Sequence, residues 1–294
     1  MSESNRLLPS GQWLKDRLST RWVGKSEIIY EEEIPSTNTL LKDLARQGAP
    51  AGTVAVCDFQ SAGRGRLQRV WKAAAGETLP VSLLLKPRLT PEQIPLCTLG
   101  AAVAASQAIE QVCPGLKAGI KWPNDVVISG RKCVGILCEG AFDPEGRLCV
   151  IMGVGFNGNQ REFPPELSAS ATSLFLEKQR CDPAAAPVVL RELLAAFLEA
   201  VERVIDRLEA GGLPAILPEY RARSVTIGST VRVIAPTEEY IGQAEGMDDA
   251  GALLVRDNSG SLRVVVCGDV SVRGLMGYTP GAPGAVPLDS EPRP

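Results

Sequence analysis

Two short segments of this 294-residue chain carry residue types suited to phosphate chemistry: Gly63-Arg64-Gly65-Arg66-Leu67-Gln68-Arg69-Val70-Trp71 and Lys121-Trp122-Pro123-Asn124-Asp125. Arg64, Arg66 and Arg69 keep their charge, and each can fork onto phosphate or carboxylate oxygens. Gly63 and Gly65 let backbone amides approach a ligand closely. Trp71 offers a flat face on which an aromatic base stacks. The second segment sets Lys121 and Asp125 on either side of a Trp-Pro corner. A polyanion bearing an aromatic base, that is a nucleotide, suits the combination. An arginine–glycine loop alone is as often a solvated turn or an RNA-binding segment. Here the run is single, and it follows Thr53-Val54-Ala55-Val56-Cys57-Asp58-Phe59, which reads as a buried strand.

The chain has no histidine. That excludes a Ser-His or Cys-His nucleophile and the usual zinc sites, so an enzyme built from it works by charge and positioning. Net charge is only -3, which makes the arginine loop a local feature and weighs against DNA or RNA as the principal ligand. Apolar content of 45% supports a sizeable core, in two compact domains or one large one. No apolar run approaches the ~20 residues that span a bilayer. Met1 to Pro9 is polar, without the apolar centre of a signal peptide, so a cytoplasmic location is expected. The eight cysteines form no C-x-x-C pair, and most lie in apolar stretches such as Cys133-Val134-Gly135-Ile136-Leu137-Cys138. They are expected to be buried, reduced thiols.

These segments need elements to position them. Residues 1–28 read as a short extension with one helix around Gly11 to Leu18. Ser36 or Thr37 caps a helix through Leu40, Leu41, Leu44 and Ala45 that stops at Gly48. Strand-like runs follow at 53–59, 79–86, 117–121, 126–128, 133–139 and 148–156. A small-residue helix is expected over Ile94 to Val112, and a long amphipathic one over Pro187 to Ala210, whose Leu190, Leu193, Leu194, Phe197, Val201, Val204, Ile205 and Leu208 repeat at helical spacing. This mixture predicts an α+β fold, a mixed sheet layered on helices, over 29–223. From 224 to 274 the pattern changes to short strands separated by turns, a small SH3-like β-barrel. Residues 275–294 hold five prolines and no periodicity, and are expected to be a disordered tail.

The two motifs together resemble those of the biotin protein ligase family, whose loop reads Gly-Arg-Gly-Arg-x-x-Arg-x-Trp and is followed by Lys-Trp-Pro-Asn-Asp. The resemblance covers roughly residues 30–274 and implies a class II synthetase-like fold with a C-terminal SH3-like barrel. It also implies an activity: ATP and Mg2+ activate biotin to biotinyl-5′-AMP, and biotin then passes to one lysine of the biotin carboxyl carrier domain of acetyl-CoA carboxylase or a related carboxylase. Biotin's carboxylate must meet the α-phosphate of ATP, and cations lower that barrier, each charge-assisted hydrogen bond contributing about 1.5–3 kcal/mol.

The resemblance distributes roles. Arg66 and Lys132 meet the biotin carboxylate and the α-phosphate, although Lys132 by itself would read as a solvated hairpin residue. Arg69 serves phosphate and Trp71 adenine, while Gly63 and Arg64 lie at the biotin end. Ser36, Thr37, Asn38 and Gln60 face the ureido ring, the first two also being plausible helix caps. Gly135 and Gly155 let strands approach the thioether ring and valeryl chain. Asp125 orients or deprotonates the carrier lysine and pairs with Lys121, a buried structural pair being the alternative. Asn157, in Gly153-Val154-Gly155-Phe156-Asn157, stands at the triphosphate or its magnesium. Arg273 is nominated for ATP, with an ordinary terminal strand nearly as plausible.

Two other motif matches fail. Gly153-Val154-Gly155-Phe156-Asn157-Gly158 satisfies G-x-G-x-x-G, but the Arg161-Glu162-Phe163-Pro164-Pro165 that follows cannot open the required helix. Gly24-Lys25-Ser26 ends a P-loop whose first glycine is replaced by Ser19. A lipoate or octanoyl ligase or transferase of the same fold is the nearest alternative, and it lacks the arginine loop. A biotin-sensing regulator or an inactive binding module is a second. Repressor members carry a winged helix-turn-helix for which 28 residues are too few, so no DNA binding is expected. Pairing of two copies through sheet edges is left open.

Overall fold

The computed structural model describes residues 11–66, 71, 75–235 and 238–267, and the backbone of 271–274. After α1 (Gly11–Arg17) come β1 (Ile28–Ile34), α2 (Thr37–Arg46), β2 (Val54–Gln60), β3 (Thr78–Leu85) and α3 (Ile94–Val112). The strands β4 (Gly119–Lys121), β5 (Asp125–Ile128), β6 (Arg131–Phe142) and β7 (Leu148–Asn157) follow. Four helices come next: α4 (Pro165–Ser168), α5 (Leu174–Cys181), α6 (Leu190–Gly211) and α7 (Leu217–Arg223). The first seven strands make a mixed sheet in the order β1-β2-β3-β7-β6-β5-β4, with β1 and β2 parallel and the other neighbours antiparallel.

Alternation along the strands gives the sheet two different faces. Leu79, Val81, Leu83, Val134, Ile136, Met152, Val154 and Phe156 join the core formed with α3 and α6. Gly100 allows these helices to approach: a Cβ there would lie 2.7 Å from Leu208. The opposite face meets α2, where Leu41 and Ala45 pack on Ala55, Leu84, Ala141, Cys149 and Ile151. Beyond the first turn of α2, that face is left with Pro80, Ser82, Gly135, Gly153 and Gly155 as the floor of a trough.

The expected helices at 94–112 and 187–210 are α3 and α6, and of the two residues expected to cap α2, Ser36 does so, accepting from the Thr39 amide at 3.4 Å. The N-terminal segment is more integrated than an extension. Leu14, Leu18 and Val23 are buried in the main core, and the Glu202 carboxylate on α6 accepts from the backbone amides of Arg21, Trp22 and Val23.

A second sheet holds β8 (Thr230–Ile234), β9 (Glu239–Met247), β10 (Leu253–Asp257), β11 (Leu262–Val265) and β12 (Ser271–Gly274) in the order β11-β10-β9-β8-β12. The expected barrel is thus present as a five-stranded sheet, and no pairing between β11 and β12 closes it among the described residues. Trp122 fastens the two sheets. Fully buried, it donates from its indole to Gly251 O at 3.0 Å, while its amide donates to Thr226 Oγ1 at 3.0 Å. The tail at 275–294 lies outside the described residues.

Candidate active site

Strand register places the site. Pro80, Gly155, Gly135, Asp125 and Lys121 are successive partners in one row across β3, β7, β6, β5 and β4. Two adjacent glycines in the middle of this row open a gap about two strands wide, roughly 10 Å, with Asp125 and Lys121 beyond it. The next row along the strands carries Ser82, Gly153 and Leu137.

Lys132 reaches the trough because of a bulge. Val126 pairs with Val134 but Val127 pairs with Lys132, so the register slips by one residue at Cys133. Uninterrupted alternation would send Lys132 to the α3–α6 face with Val134 and Ile136. The slip re-aims it: its Cε and Nζ lie 3.0 Å from where a Gly135 Cβ would stand, and Nζ contacts Asp125 Oδ1 at 2.6 Å. Asp125 therefore has Lys132 as its ion-pair partner and Lys121 directly opposite on the neighbouring strand.

One wall of the trough is a continuous polar chain. Gln60 Oε1 accepts from the Thr37 amide at 2.8 Å and from its hydroxyl at 3.1 Å. The Ser82 hydroxyl lies 2.7 Å from Thr37 Oγ1 and 2.6 Å from Asn38 Oδ1. Asn38 Nδ2 donates to Glu139 Oε2 at 2.8 Å and to Leu137 O at 3.2 Å. Gly153 is obligatory beside it, since a Cβ would stand 2.1 Å from Asn38 Oδ1. Asn38 is thus committed to scaffolding, whereas Thr37 and Gln60 border the trough with hydrogen-bonding capacity to spare.

The arginines are anchored separately. Arg66 Nη1 donates to Asn124 Oδ1 at 2.8 Å, and Asn124 in turn donates to Ile136 O at 3.1 Å. Arg64 reaches Thr39 Oγ1 at 3.3 Å and Glu139 Oε2 at 3.2 Å. Glu139 also accepts from Lys42 Nζ at 2.7 Å. Burial pushes the Glu139 carboxyl up, but bonds from Lys42 and Asn38 and the charge of Arg64 outweigh it and leave its pKa below the ordinary value. Neither Glu139 nor Asn124 was singled out as a site residue from sequence. The available signals were a lone carboxylate in step with Gly135 and Leu137 on β6, and a place within the Trp-Pro motif.

Trp71 and the glycine pair meet in a way the sequence reading did not anticipate. The surface that Gly135 and Gly155 were expected to offer to biotin is covered by the Trp71 indole, whose ring atoms lie 2.8 and 2.9 Å from the two missing Cβ positions. The ring also faces the Lys132 ammonium, 5.6 Å from its centroid. With the indole there, the cavity holds about 50 Å³, against roughly 300 Å³ or more for a small-molecule site. Trp71 Nε1 is buried without a hydrogen-bond partner among the described residues.

Asn157 is engaged within the fold. It is buried; Nδ2 donates to Thr172 O at 3.0 Å and Oδ1 accepts from Gln160 at 3.1 Å. Its amide fastens the 170–173 segment to β7 and also reaches the Lys132 carbonyl at 3.5 Å. No cluster of three or more Asp, Glu, Cys or His groups that could hold a metal occurs among the described residues. Arg69 and the Arg273 side chain lie outside the described residues; the Arg273 backbone pairs with Arg232. Gly63 packs its α-carbon against the Trp71 backbone, where a Cβ would meet Trp71 O at 2.6 Å.

A larger cavity of about 660 Å³ lies between Arg17, Lys178, Val188 and α6, away from both motifs. Its charges are satisfied within the fold, Arg17 by Glu192 at 3.1 Å and Lys178 by Ala186 O at 2.7 Å, so the chemistry is assigned to the trough.

Comparison with known proteins identifies the fold. Residues 30–157 match the biotin/lipoate A/B protein ligase family, and residues 226–273 match the biotin protein ligase C-terminal domain. The fold is therefore that of a protein that joins a cofactor acid to a protein. The bifunctional ligase/repressor BirA of Bacillus subtilis is 37% identical over 84% of this chain and 74% of its own length. The biotin–[acetyl-CoA-carboxylase] ligase of Mycobacterium tuberculosis is 35% identical over 92% of this chain and 98% of its own. The Aquifex aeolicus biotin protein ligase, solved in complex with biotin and ATP, superposes with a TM-score of 0.71 at 28% identity, covering 84% of this chain and 99% of that one. The chain belongs to the biotin protein ligase family.

Proposed function

We propose that this protein condenses biotin with ATP to biotinyl-5′-AMP and then transfers biotin to a lysine of a biotin carboxyl carrier domain. The observation that carries the reading is the row in which Lys132 and Asp125 meet beside the Gly135–Gly155 gap, with Arg66 on Asn124 alongside and the Thr37–Gln60 wall opposite. In this reading the ureido ring takes hydrogen bonds from Thr37 and Gln60, and the valeryl chain lies over the two glycines. For that to happen the Trp71 indole moves off them and becomes available to stack on adenine.

The chemistry follows from the charges. A biotin carboxylate oxygen attacks the α-phosphorus of ATP, the bond to the β-phosphate bridging oxygen breaks, and pyrophosphate leaves. Lys132 and Arg66 neutralise the two anions and hold them in line. In the second step the carrier amine attacks the acyl carbon and the bond to AMP breaks. Asp125 orients that amine and accepts its proton. Magnesium is expected to accompany ATP, and the Asn157 amide is held by Thr172 and Gln160. Arg69 and Arg273 are retained as phosphate and ATP contacts on the family pattern alone.

In this reading the chain divides into a catalytic unit, 29–223, and a C-terminal sheet unit, 224–274, joined through Trp122. No described helix is long and apolar enough to cross a membrane, and all eight cysteines are unpaired thiols; we place the reaction in a reducing cytoplasm on that basis. The test is incubation with biotin, ATP, magnesium and a carrier domain, with lipoate as control. Biotin on the carrier, with AMP released, is expected; modification by lipoate alone would move the protein to the lipoate branch.

A further inference from the structure

We infer that Glu177, on α5 and outside both motifs, is a positioning residue that fixes Lys132 for adenylate formation; the inference rests on the function proposed above. Its side chain is 3% exposed. It gathers four donors from three places: Arg131 Nη2 at 2.6 Å, Ser129 Oγ at 3.1 Å, Thr172 Oγ1 at 2.5 Å and Arg180 Nη1 at 3.1 Å. Ser129 and Arg131 belong to the hairpin turn that delivers Lys132. Thr172 belongs to the segment that brackets the Lys132 backbone from the other side: Lys132 N donates to Ser170 O at 2.8 Å, and Thr172 N donates to Lys132 O at 2.9 Å.

The turn has reason to need such a clamp. Ile128 pairs with Arg131, so Ser129 and Gly130 form a two-residue hairpin with φ of 50° and 75°. Glycine takes that left-handed backbone readily, and serine takes it at a cost. The bond from Ser129 to Glu177 holds the serine there. Just beyond the turn, at Cys133, lies the bulge that turns Lys132 into the trough. A carboxylate binding both sides of this junction sets where the ammonium stands, although it touches no ligand position itself. Catalysis is sensitive to such placement, a shift of about 1 Å costing on the order of a hundredfold.

The test is a double-mutant cycle on biotin-dependent ATP–pyrophosphate exchange, using Glu177→Gln, Lys132→Ala and the pair. Glu177→Gln alone should lower kcat about 10- to 100-fold with KM for ATP changed less than about threefold, the pattern of a group acting on the transition state. In the Lys132→Ala background the same change should cost less than about twofold, because its effect runs through Lys132. Equal losses in both backgrounds would overturn the inference by assigning Glu177 a general structural role. Should Glu177→Gln not fold, Ser129→Ala and Thr172→Val each remove one of its bonds and enter the same cycle with the same two outcomes. Wild-type protein that makes no biotinyl-AMP would instead strike the proposed function, so the two failures are distinguishable.

Discussion

Lys132 and Asp125 stand on neighbouring strands, and the 2.6 Å contact between them exists because a one-residue slip after Val126 turns the lysine toward the trough. The ammonium is held at the edge of the Gly135–Gly155 gap before any anion arrives. Replacement by Lys132→Ala should lower the rate of biotinyl-AMP formation about 10²- to 10³-fold, the scale of removing one preorganised charge. Thermal unfolding should change little, since the pair is partly exposed to solvent. ATP–pyrophosphate exchange and a melting curve check both halves.

Asp125 is assigned to the second step. Asp125→Asn should leave adenylate formation within a fewfold of normal and slow transfer to the carrier. Single-turnover transfer from preformed biotinyl-AMP measures this directly, and unchanged transfer would remove Asp125 from the mechanism.

The Trp71 indole lies on the surface proposed for biotin. Adding biotin should therefore shift tryptophan emission, and Trp71→Phe should remove most of that shift while the buried Trp122 reports nothing. At the other end of the trough, Gly153→Ala would drive a methyl into the Asn38 amide. Overpacking of this kind costs about 1–3 kcal/mol, and here it should also raise KM for biotin by displacing Thr37 and Ser82.

Glu139 holds Arg64, Lys42 and Asn38 together, and its carboxyl titrates below the ordinary value. The sign follows from linkage: a depressed carboxyl stabilises the fold above its unfolded pKa of about 4.3, and that contribution fades only as pH falls through the lower folded value. Stability measured from pH 7 down to pH 5 should therefore show no loss from this group. Glu139→Gln should weaken biotin binding across that whole range. A KM equal to wild type would release Arg64 from the proposed anchoring.

The thiols give an independent check on burial. Burial raises Cys57 and Cys138 to about 12 and pushes Cys133 higher still, so all three are protonated at pH 8. Cys181 is the exposed cysteine. Iodoacetamide on the native protein should label Cys181 first, with Cys57 and Cys133 labelled only after unfolding. Early labelling of Cys133 would mean that the β5–β6 bulge is open.

How much of this was legible in the chain depends on the physical range of each signal. Helical spacing located α6 to within a few residues, because many side chains report the same period, and a long run of small and apolar residues located α3. Strand β1 was missed: Tyr30-Glu31-Glu32-Glu33 puts charges in consecutive positions, which an edge strand tolerates and which conceals alternation. The short helices α5 and α7 carry too few turns to show a period. Of the site, the arginine loop and the Lys-Trp-Pro-Asn-Asp segment could be named because their types and spacing are distinctive, whereas Thr37 and Gln60 were implied by the family resemblance alone. The bulge, the Glu139 anchor and the commitment of Asn157 to Thr172 could not, since each depends on which strands become neighbours.

The most direct test is a crystal structure of the protein with biotin and a non-hydrolysable ATP analogue. The account predicts a biotin carboxylate oxygen within hydrogen-bond distance of Lys132 Nζ, the valeryl chain over Gly135 and Gly155, and the α-phosphate on the side of Arg66. Biotin bound elsewhere, or with its carboxylate turned away from Lys132 and Arg66, would contradict it.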